Sequence, residues 1–213
     1  MLTESANSSV RVFVVGAGGH GKVVFDAMQV AGMTAPGYSI CFLDDDQACH
    51  GHTILGANVL GGLAYAMASG DLFHVAIGSN RIRENISLSL GCDSLISVIH
   101  PRAVIAMSSV IGKGVFAAAN SVVAPDARLG DGVIVNHGAI IDHDCCLGNF
   151  CHISPGASLA GGVHLGSRVL VGAGARILPG VQVGDDCIVA AGAVVCTDVA
   201  DGLTVMGVPA RAK

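Results

Sequence analysis

The chain has no tryptophan and only 2 tyrosines in 213 residues, and charged residues make up just 13%. The first absence excludes a core organised around large aromatics. The second, beside a hydrophobic content of 52%, excludes a disordered chain, which needs low hydrophobicity and high charge. Long apolar runs are also missing. Mean hydropathy is +0.65, yet Gly, polar or charged residues break every stretch of roughly 18 residues, the length a membrane helix needs. There is no basic run: Lys+Arg total 11 against Asp+Glu 16, a formal net charge of −5. Nucleic acid is therefore not an expected partner. The start MLTESANSSVRVFVV lacks a cationic segment followed by a cleavable apolar one, so a cytoplasmic location is expected. No CxxC pair occurs among the 8 Cys, which removes the zinc-ribbon reading. In a chain of this kind the cysteines read as reduced thiols, not as a disulfide framework.

What is present is 30 Gly, much Ala and Val, and two different periodicities. Residues 1–9 are polar and read as a frayed or disordered start. Residues 10–97 alternate strand and helix. Strands are expected at Val10–Val15, Tyr38–Leu43 and Phe73–Ile77, and helices at Lys22–Val30, Gly61–Ala68 and Arg81–Leu90. That alternation implies a parallel sheet with helices on its faces, a Rossmann-like α/β domain.

From Val98 the period becomes six. Seventeen consecutive hexads run without insertion from residue 98 to 199. Their second position is Ile, Leu or Val except at Ala117, and their sixth is Ala, Ser, Val or Cys. A fixed short period over this length signals a solenoid. Three hexads make a coil of roughly 18 residues, with the second position stacked inward and the small sixth position expected to let the chain turn. The domain so defined is 98–213.

Gly16-Ala17-Gly18-Gly19-His20-Gly21 fits G-x-G-x-x-G between a strand and a helix. Such glycines allow a tight turn and close backbone approach, and the helix start offers free N–H groups to phosphate. Asp44 and Asp45, at the end of the next strand, are placed to accept hydrogen bonds from a ribose or a base. Fewer than 100 residues supply only one mononucleotide-binding half, which favours a nucleotide or nucleotide-sugar over NAD. His20 reads as a donor beside phosphates or a sugar. The competing reading of the loop is a tight turn that binds nothing.

On the solenoid, His143 occupies an outward fourth position between Asp142 and Asp144. A neighbouring carboxylate stabilises imidazolium and holds the tautomer, which makes a better general base. Gly161 lies one coil later and is expected to leave room there for a ligand. A solvated surface histidine is the competing reading. Cys145, Cys151 and Cys187 share the sixth position with Ala and Val and read as small core fillers. Cys146 beside His143 keeps open a Cys–His acyl-enzyme.

The hexads resemble those of the left-handed β-helix acyltransferases, and Gly207-Val208-Pro209-Ala210 resembles the signature that closes many such helices. That resemblance implies a left-handed coil and a homotrimer with active sites between subunits. The combination of Gly16–Gly21, Phe42-Leu43-Asp44-Asp45, Ala76-Ile77-Gly78-Ser79-Asn80 and Ile99-His100-Pro101 is similar to bacterial nucleotide-amino-sugar N-acetyltransferases and sialic-acid O-acetyltransferase-like proteins. The stretch Ile141–Gly148 followed by His152-Ile153-Ser154 resembles the motif of that family. By this resemblance His143 is the base and Asp144 the residue that raises its basicity. His152 contacts acetyl-CoA near the thioester, and Asn136 faces the substrate. Gly161, Ala173 and Ala191 lie along the pantetheine path. Gly18, Gly19, His20, Asp44, Asp45, Ile77 and Asn80 belong to the nucleotide-sugar site. His137 and His164 receive no role. The implied reaction is direct transfer of acetyl from acetyl-CoA to the amine of a nucleotide-linked 4-amino-4,6-dideoxy sugar, without a metal. A backbone N–H, helped by His152, would serve as the oxyanion donor. Sialic acid O-acetylation is the main alternative. A β-helix zinc enzyme of the carbonic anhydrase type and a non-catalytic nucleotide-sugar-binding protein rank behind it.

Overall fold

The computed structural model describes residues 10–66 and 71–213. The frayed start expected at 1–9, and residues 67–68 of the helix expected at 61–68, lie outside the described residues.

The N-terminal unit contains β1 (Val10–Val15), α1 (Gly19–Val30), β2 (Tyr38–Leu43), β3 (Thr53–Ile54), β4 (Ala57–Gly61), β5 (Leu72–Val75) and α2 (Asn80–Leu90). The sheet order is β3-β4-β2-β1-β5; β3 is antiparallel to β4 and the other pairs are parallel. β1 is apolar throughout its buried part because both its faces are covered. Val12 and Val14 pack against Val24, Phe25 and Met28 of α1. Phe13 and Val15 pack with Phe73 and Leu43, and Ile86 and Leu90 of α2 lie against them.

The helix expected from Gly61 to Ala68 is instead the end of β4 followed by a 3-10 turn at Leu63–Ala66. β4 alternates buried and exposed residues, and a two-residue turn at Leu55-Gly56, both at positive φ, folds it onto β3. Positive φ at both central residues is the hairpin turn that matches strand twist. β5 stops at Val75, so Ala76 and Ile77 belong to the loop that follows.

Beyond Val98 two-residue strands recur every six residues, to Val194–Val195. Each pairs in parallel with the strand 18 residues on, as Val98 with Phe116 and Ile140 with Ser158. The strands form three sheets, the faces of a triangular parallel β-helix. Second-position residues (Ile141, Ile153, Leu159) and sixth-position residues (Cys145, Cys151, Ala157) alike are at most 1% exposed. The sixth position is therefore interior packing and not the turn. The turn is made one residue earlier: fourteen of the 17 fifth positions have positive φ, eight of them Gly and the rest Asn, Asp, Phe or Arg. Left-handed backbone favours Gly, Asn and Asp because a β-carbon crowds the following carbonyl.

One face carries Gly at every third position: Gly112, Gly130, Gly148, Gly166 and Gly184. Gly148 is crowded by the backbone of Gly166 and Ser167 one coil on, and the other four also meet a polar ladder at the next corner. Asp131 Oδ1 accepts the Lys113 N–H at 2.8 Å, Asn149 Oδ1 accepts the Asp131 N–H at 2.9 Å, and Asp185 Oδ1 accepts the Ser167 N–H at 2.7 Å. Those side-chain oxygens occupy the place a β-carbon on Gly112, Gly130 or Gly166 would need.

The N-terminal unit sits on a second face. There Val98, Phe116, Ala118 and Ile134 are buried in one cluster with α1 and β1. None of the six Phe points into the prism: four lie in the N-terminal unit, Phe116 is under it, and Phe150 stands at a corner. The third face, starting at Val104, carries exposed Val104, Ile140 and Leu178. At the C-terminal end Thr204–Met206 extends one sheet and Arg211–Ala212 pairs back on it antiparallel.

Candidate active site

His143 stands at the corner that follows strand Ile140–Ile141. Asp142 Oδ1 accepts its backbone N–H at 2.7 Å, and Asp144 Oδ2 lies 2.7 Å from ring Nδ1. Asp144 occupies the left-handed turn position, φ 60°. The hydrogen bond to Asp144, with the charge of Asp142, raises the His143 pKa above its usual value. With Nδ1–H donated to Asp144, Nε2 carries the free lone pair of a general base. The ring is 61% exposed in this chain. It lies over Gly161: a β-carbon there would be 2.5 Å from Cε1 and Nε2. The glycine is thus the seat of the ring itself and not empty space for a ligand.

The glycine loop divides into two parts. Gly16 has φ +105° and presses on the Ala76 carbonyl, and Gly21 packs against the backbone of Gly16. Gly18 and Gly19 meet nothing, so the fold does not require glycine there. They open α1, whose N-cap is Gly18 without a side-chain cap. Beside the loop lies a cleft lined by Gly16, Leu43, Asp44, Asp45, Ile77 and Ile82, among others. Both Asp44 oxygens are engaged, accepting the N–H groups of Ala17 at 2.7 Å and Asp46 at 3.0 Å. Asp45 Oδ1 accepts the Leu63 N–H at 3.0 Å. The two aspartates shape the loop as well as lining the cleft.

His20 does not stand in the open beside Gly18 and Gly19. Its ring is edge-on to Phe116, 5.3 Å between centroids, and 6.2 Å from the ring of His152. Its Nε2 is buried without a hydrogen-bond partner. Burial, with the nearby histidines and Arg83, lowers its pKa to about 3. His74, also against Phe116, is lowered to about 4 by burial and bonds the Ile96 carbonyl through Nδ1 at 2.9 Å.

His152 closes the same seam. Its Nδ1 lies 3.3 Å from the Gly78 carbonyl, and its Nε2 lies 3.3 Å from Nδ2 of Asn136. A carbonyl only accepts, so Nδ1 carries the proton. Asn136 Oδ1 accepts the His137 N–H at 2.9 Å, which turns its amide nitrogen toward His152. Nε2 is therefore an acceptor, and burial lowers this pKa to about 4. In this tautomer Nε2 has no proton for an oxyanion, unlike the donor role expected of it.

Asn80 is committed within the protein: Nδ2 donates to the Arg168 carbonyl at 2.8 Å and Oδ1 accepts from Arg83 at 2.9 Å. Ala173 and Ala191 stack at the fourth positions of consecutive coils, on the corner after the face that carries the N-terminal unit. His143, Asp144 and Gly161 stand on the next corner, so one chain groups His20, Asn136 and His152 at the seam and keeps the base apart from them. Sequence reasoning missed Arg83, which is 1% exposed and bonds carbonyls on both sides of that seam. Its one cue in the sequence is the helical spacing with Ser87, the other buried residue of α2.

Comparisons with known proteins agree with this architecture. Residues 11–90 match the PglD N-terminal domain, and residues 108–143 and 162–197 match the bacterial transferase hexapeptide repeats. The acetyltransferase domain of PglB from Neisseria gonorrhoeae is 40% identical with a TM-score of 0.88, over 95% of this chain and 99% of that one. PerB from Caulobacter crescentus, solved with CoA and GDP-perosamine, is 38% identical with a TM-score of 0.86, over 95% and 96%. UDP-N-acetylbacillosamine N-acetyltransferase of Bacillus subtilis is 42% identical over 50 residues, 22% of this chain and 23% of its own. The match spans less than a quarter of the length of the curated relatives. A PglD-type domain, a continuous hexad β-helix and near full-length similarity to two solved acetyltransferases converge on one conclusion: the chain belongs to the hexapeptide-repeat acyltransferases that carry a PglD N-terminal domain.

Proposed function

We propose that this protein transfers acetyl from acetyl-CoA to the amine of a nucleotide-linked 4-amino-4,6-dideoxy sugar, such as GDP-perosamine or a UDP-4-amino sugar. The observation that carries the reading is the pair His143–Asp144, 2.7 Å apart through Nδ1, which leaves Nε2 of the neutral ring free to accept a proton at an exposed corner. The neutral amine attacks the thioester carbonyl and forms a C–N bond. His143 Nε2 takes the proton, the C–S bond breaks, and CoA leaves as the thiolate. No covalent enzyme intermediate is needed, which leaves Cys146 without a role. A backbone N–H stabilises the developing oxyanion.

The cleft at Asp44, Asp45 and Ile77 holds the nucleotide, with its phosphates toward Gly18 and Gly19. Holding the nucleotide fixes the sugar amine near the base, and positioning alone supplies much of the rate. The pantetheine runs between the Ala173–Ala191 corner of one subunit and the corner of the next that carries Gly161 beneath the base, and His152 and Asn136 contact the ligands. That base and seam lie on different corners of one chain supports sites between subunits, and the homotrimer is the form that the family resemblance implies. Among the described residues no helix is long and apolar enough to cross a membrane, and we place the reaction in the cytoplasm. The complexes of PerB with CoA and GDP-perosamine support both ligand classes.

The test is a panel of GDP-, UDP- and dTDP-amino sugars with acetyl-CoA, followed by release of free thiol. Turnover of one or more amino sugars, lost in His143→Ala, is expected. Thiol release only with sialic acid or CMP-sialic acid would replace the amine reading with O-acetylation.

A further inference from the structure

We propose that Arg83 is a positioning residue that sets the ring of His152 for acetyl transfer, holding it as a neutral, Nδ1-protonated hydrogen-bond acceptor. The role in transfer rests on the functional reading above; the state of the ring does not.

Arg83 lies on α2, yet its guanidinium reaches three separate stretches of chain. Nη1 donates to the carbonyls of Ile77 at 2.9 Å and Gly78 at 3.3 Å. Nη2 donates to the carbonyls of Phe150 at 2.7 Å and Cys151 at 3.3 Å, and Nε to that of Gly132 at 2.8 Å. Phe150 and Cys151 immediately precede His152 in the chain. The Gly78 carbonyl is the acceptor of the His152 Nδ1 proton. One planar group therefore fixes both the backbone that carries the ring and the carbonyl that chooses its tautomer. The five N–H groups of a guanidinium stand in a rigid fork, which is what lets one side chain join these carbonyls in a fixed relation.

The charge of Arg83 acts in the same direction. No carboxylate hydrogen-bonds to it among the described residues. The groups that act on the seam rings are Arg83 from α2, His20 from α1, His74 from β5, and His137 and His152 from the β-helix. A cation with carbonyl partners only, beside His152, opposes a second positive charge on that ring. The ring is left with Nε2 as its acceptor, on the side where Asn136 meets it.

The test uses the full-length chain with 15N-labelled imidazoles and acetyl-CoA kinetics. In the wild type, His152 should show a protonated Nδ1 and an unprotonated Nε2 down to about pH 5. In folded Arg83→Met the ring should mix tautomers and titrate nearer the ordinary histidine range. The KM for acetyl-CoA should rise about tenfold, the scale of one lost charged hydrogen bond, with a smaller change in kcat. Arg83→Lys keeps the charge but has three donors on one nitrogen, so it should loosen the tautomer and keep the titration low; this variant carries the test if Arg83→Met does not fold. An unchanged tautomer and titration in the folded variants would overturn the positioning role, as would a wild-type ring protonated on Nε2. An unchanged acetyl-CoA KM in His152→Asn would overturn the part of the ring in transfer, independently of the imidazole spectra.

Discussion

The imidazole of His143 rests on the backbone of Gly161, eighteen residues later and one coil away, with 2.5 Å between the ring and the place of a β-carbon. Gly161 has no positive φ, so its side chain is excluded by the ring and not by its own backbone. Gly161→Ala should therefore fold normally and displace the imidazole. A shift near 1 Å at a reacting group costs up to about 100-fold in rate. Steady-state turnover, beside an unchanged circular dichroism spectrum, checks this; full activity would separate the ring position from catalysis.

The base should declare itself in the pH profile. His143 is raised above the usual histidine value, first by the Asp144 hydrogen bond and then by Asp142. The reactive form is the neutral ring, so kcat/KM should climb with pH through a pKa above about 6.5. Asp144→Asn removes the largest contribution and should move that limb to lower pH while reducing the rate on the plateau. A limb that does not move would assign the titration to another group.

Three histidines at the seam make stability depend on pH with a definite sign. His20, His74 and His152 are held near 3, 4 and 4 in the folded chain by burial. Between about pH 4 and 6.5 the unfolded chain binds protons that the folded chain does not. Stability is fully present above about 6.5 and falls as pH drops through that window, by about 1.4 kcal/mol per pH unit for each such ring. Urea unfolding at several pH values should show this slope, and His74→Gln should make it shallower by about one ring.

The corner ladder predicts a local stability effect. Asn149 Oδ1 takes the Asp131 N–H, so Asn149→Ala leaves that donor to solvent and should cost about 1 kcal/mol. Chemical denaturation measures it, and turnover should be retained because the ladder stands apart from His143. A loss of activity at full stability would contradict the placement.

Cys146 is a partly exposed strand residue whose neighbours in register are Arg128 and His164, one coil to either side. Cys146→Ala should retain turnover within about twofold, as expected of a partly exposed change that removes neither hydrogen bond of His143. A loss of thiol release by orders of magnitude would revive a cysteine acyl-enzyme.

Legibility followed periodicity. β1 and β2 were readable to the residue because buried parallel strands are continuous apolar runs. α1 begins three residues before the expected Lys22, since glycines in its first turn hide the helical pattern. The β3–β4 hairpin was missed because its strands are short and its turn is Leu-Gly rather than Asn-Gly. Asp144 was legible as the neighbour of His143, whereas its left-handed backbone was not.

By itself the sequence determined the β-helix, since a hexad held for 102 residues fixes which side chains stack inward whatever packs outside. It also determined that an imidazole and a carboxylate share one corner, because adjacency in a two-residue turn needs no long-range information. Tertiary structure alone decided the seam. Arg83 and Gly78 belong to the N-terminal unit and Asn136 and His152 to the β-helix, and only the docking of one on the other joins Arg83 to the carbonyls of Gly132 and Phe150 and His152 to that of Gly78. That docking sets the tautomer of His152, seals the Nε2 of His20, and commits the Asn80 amide to the Arg168 carbonyl, because hydrogen bonds between distant segments leave no period in the sequence.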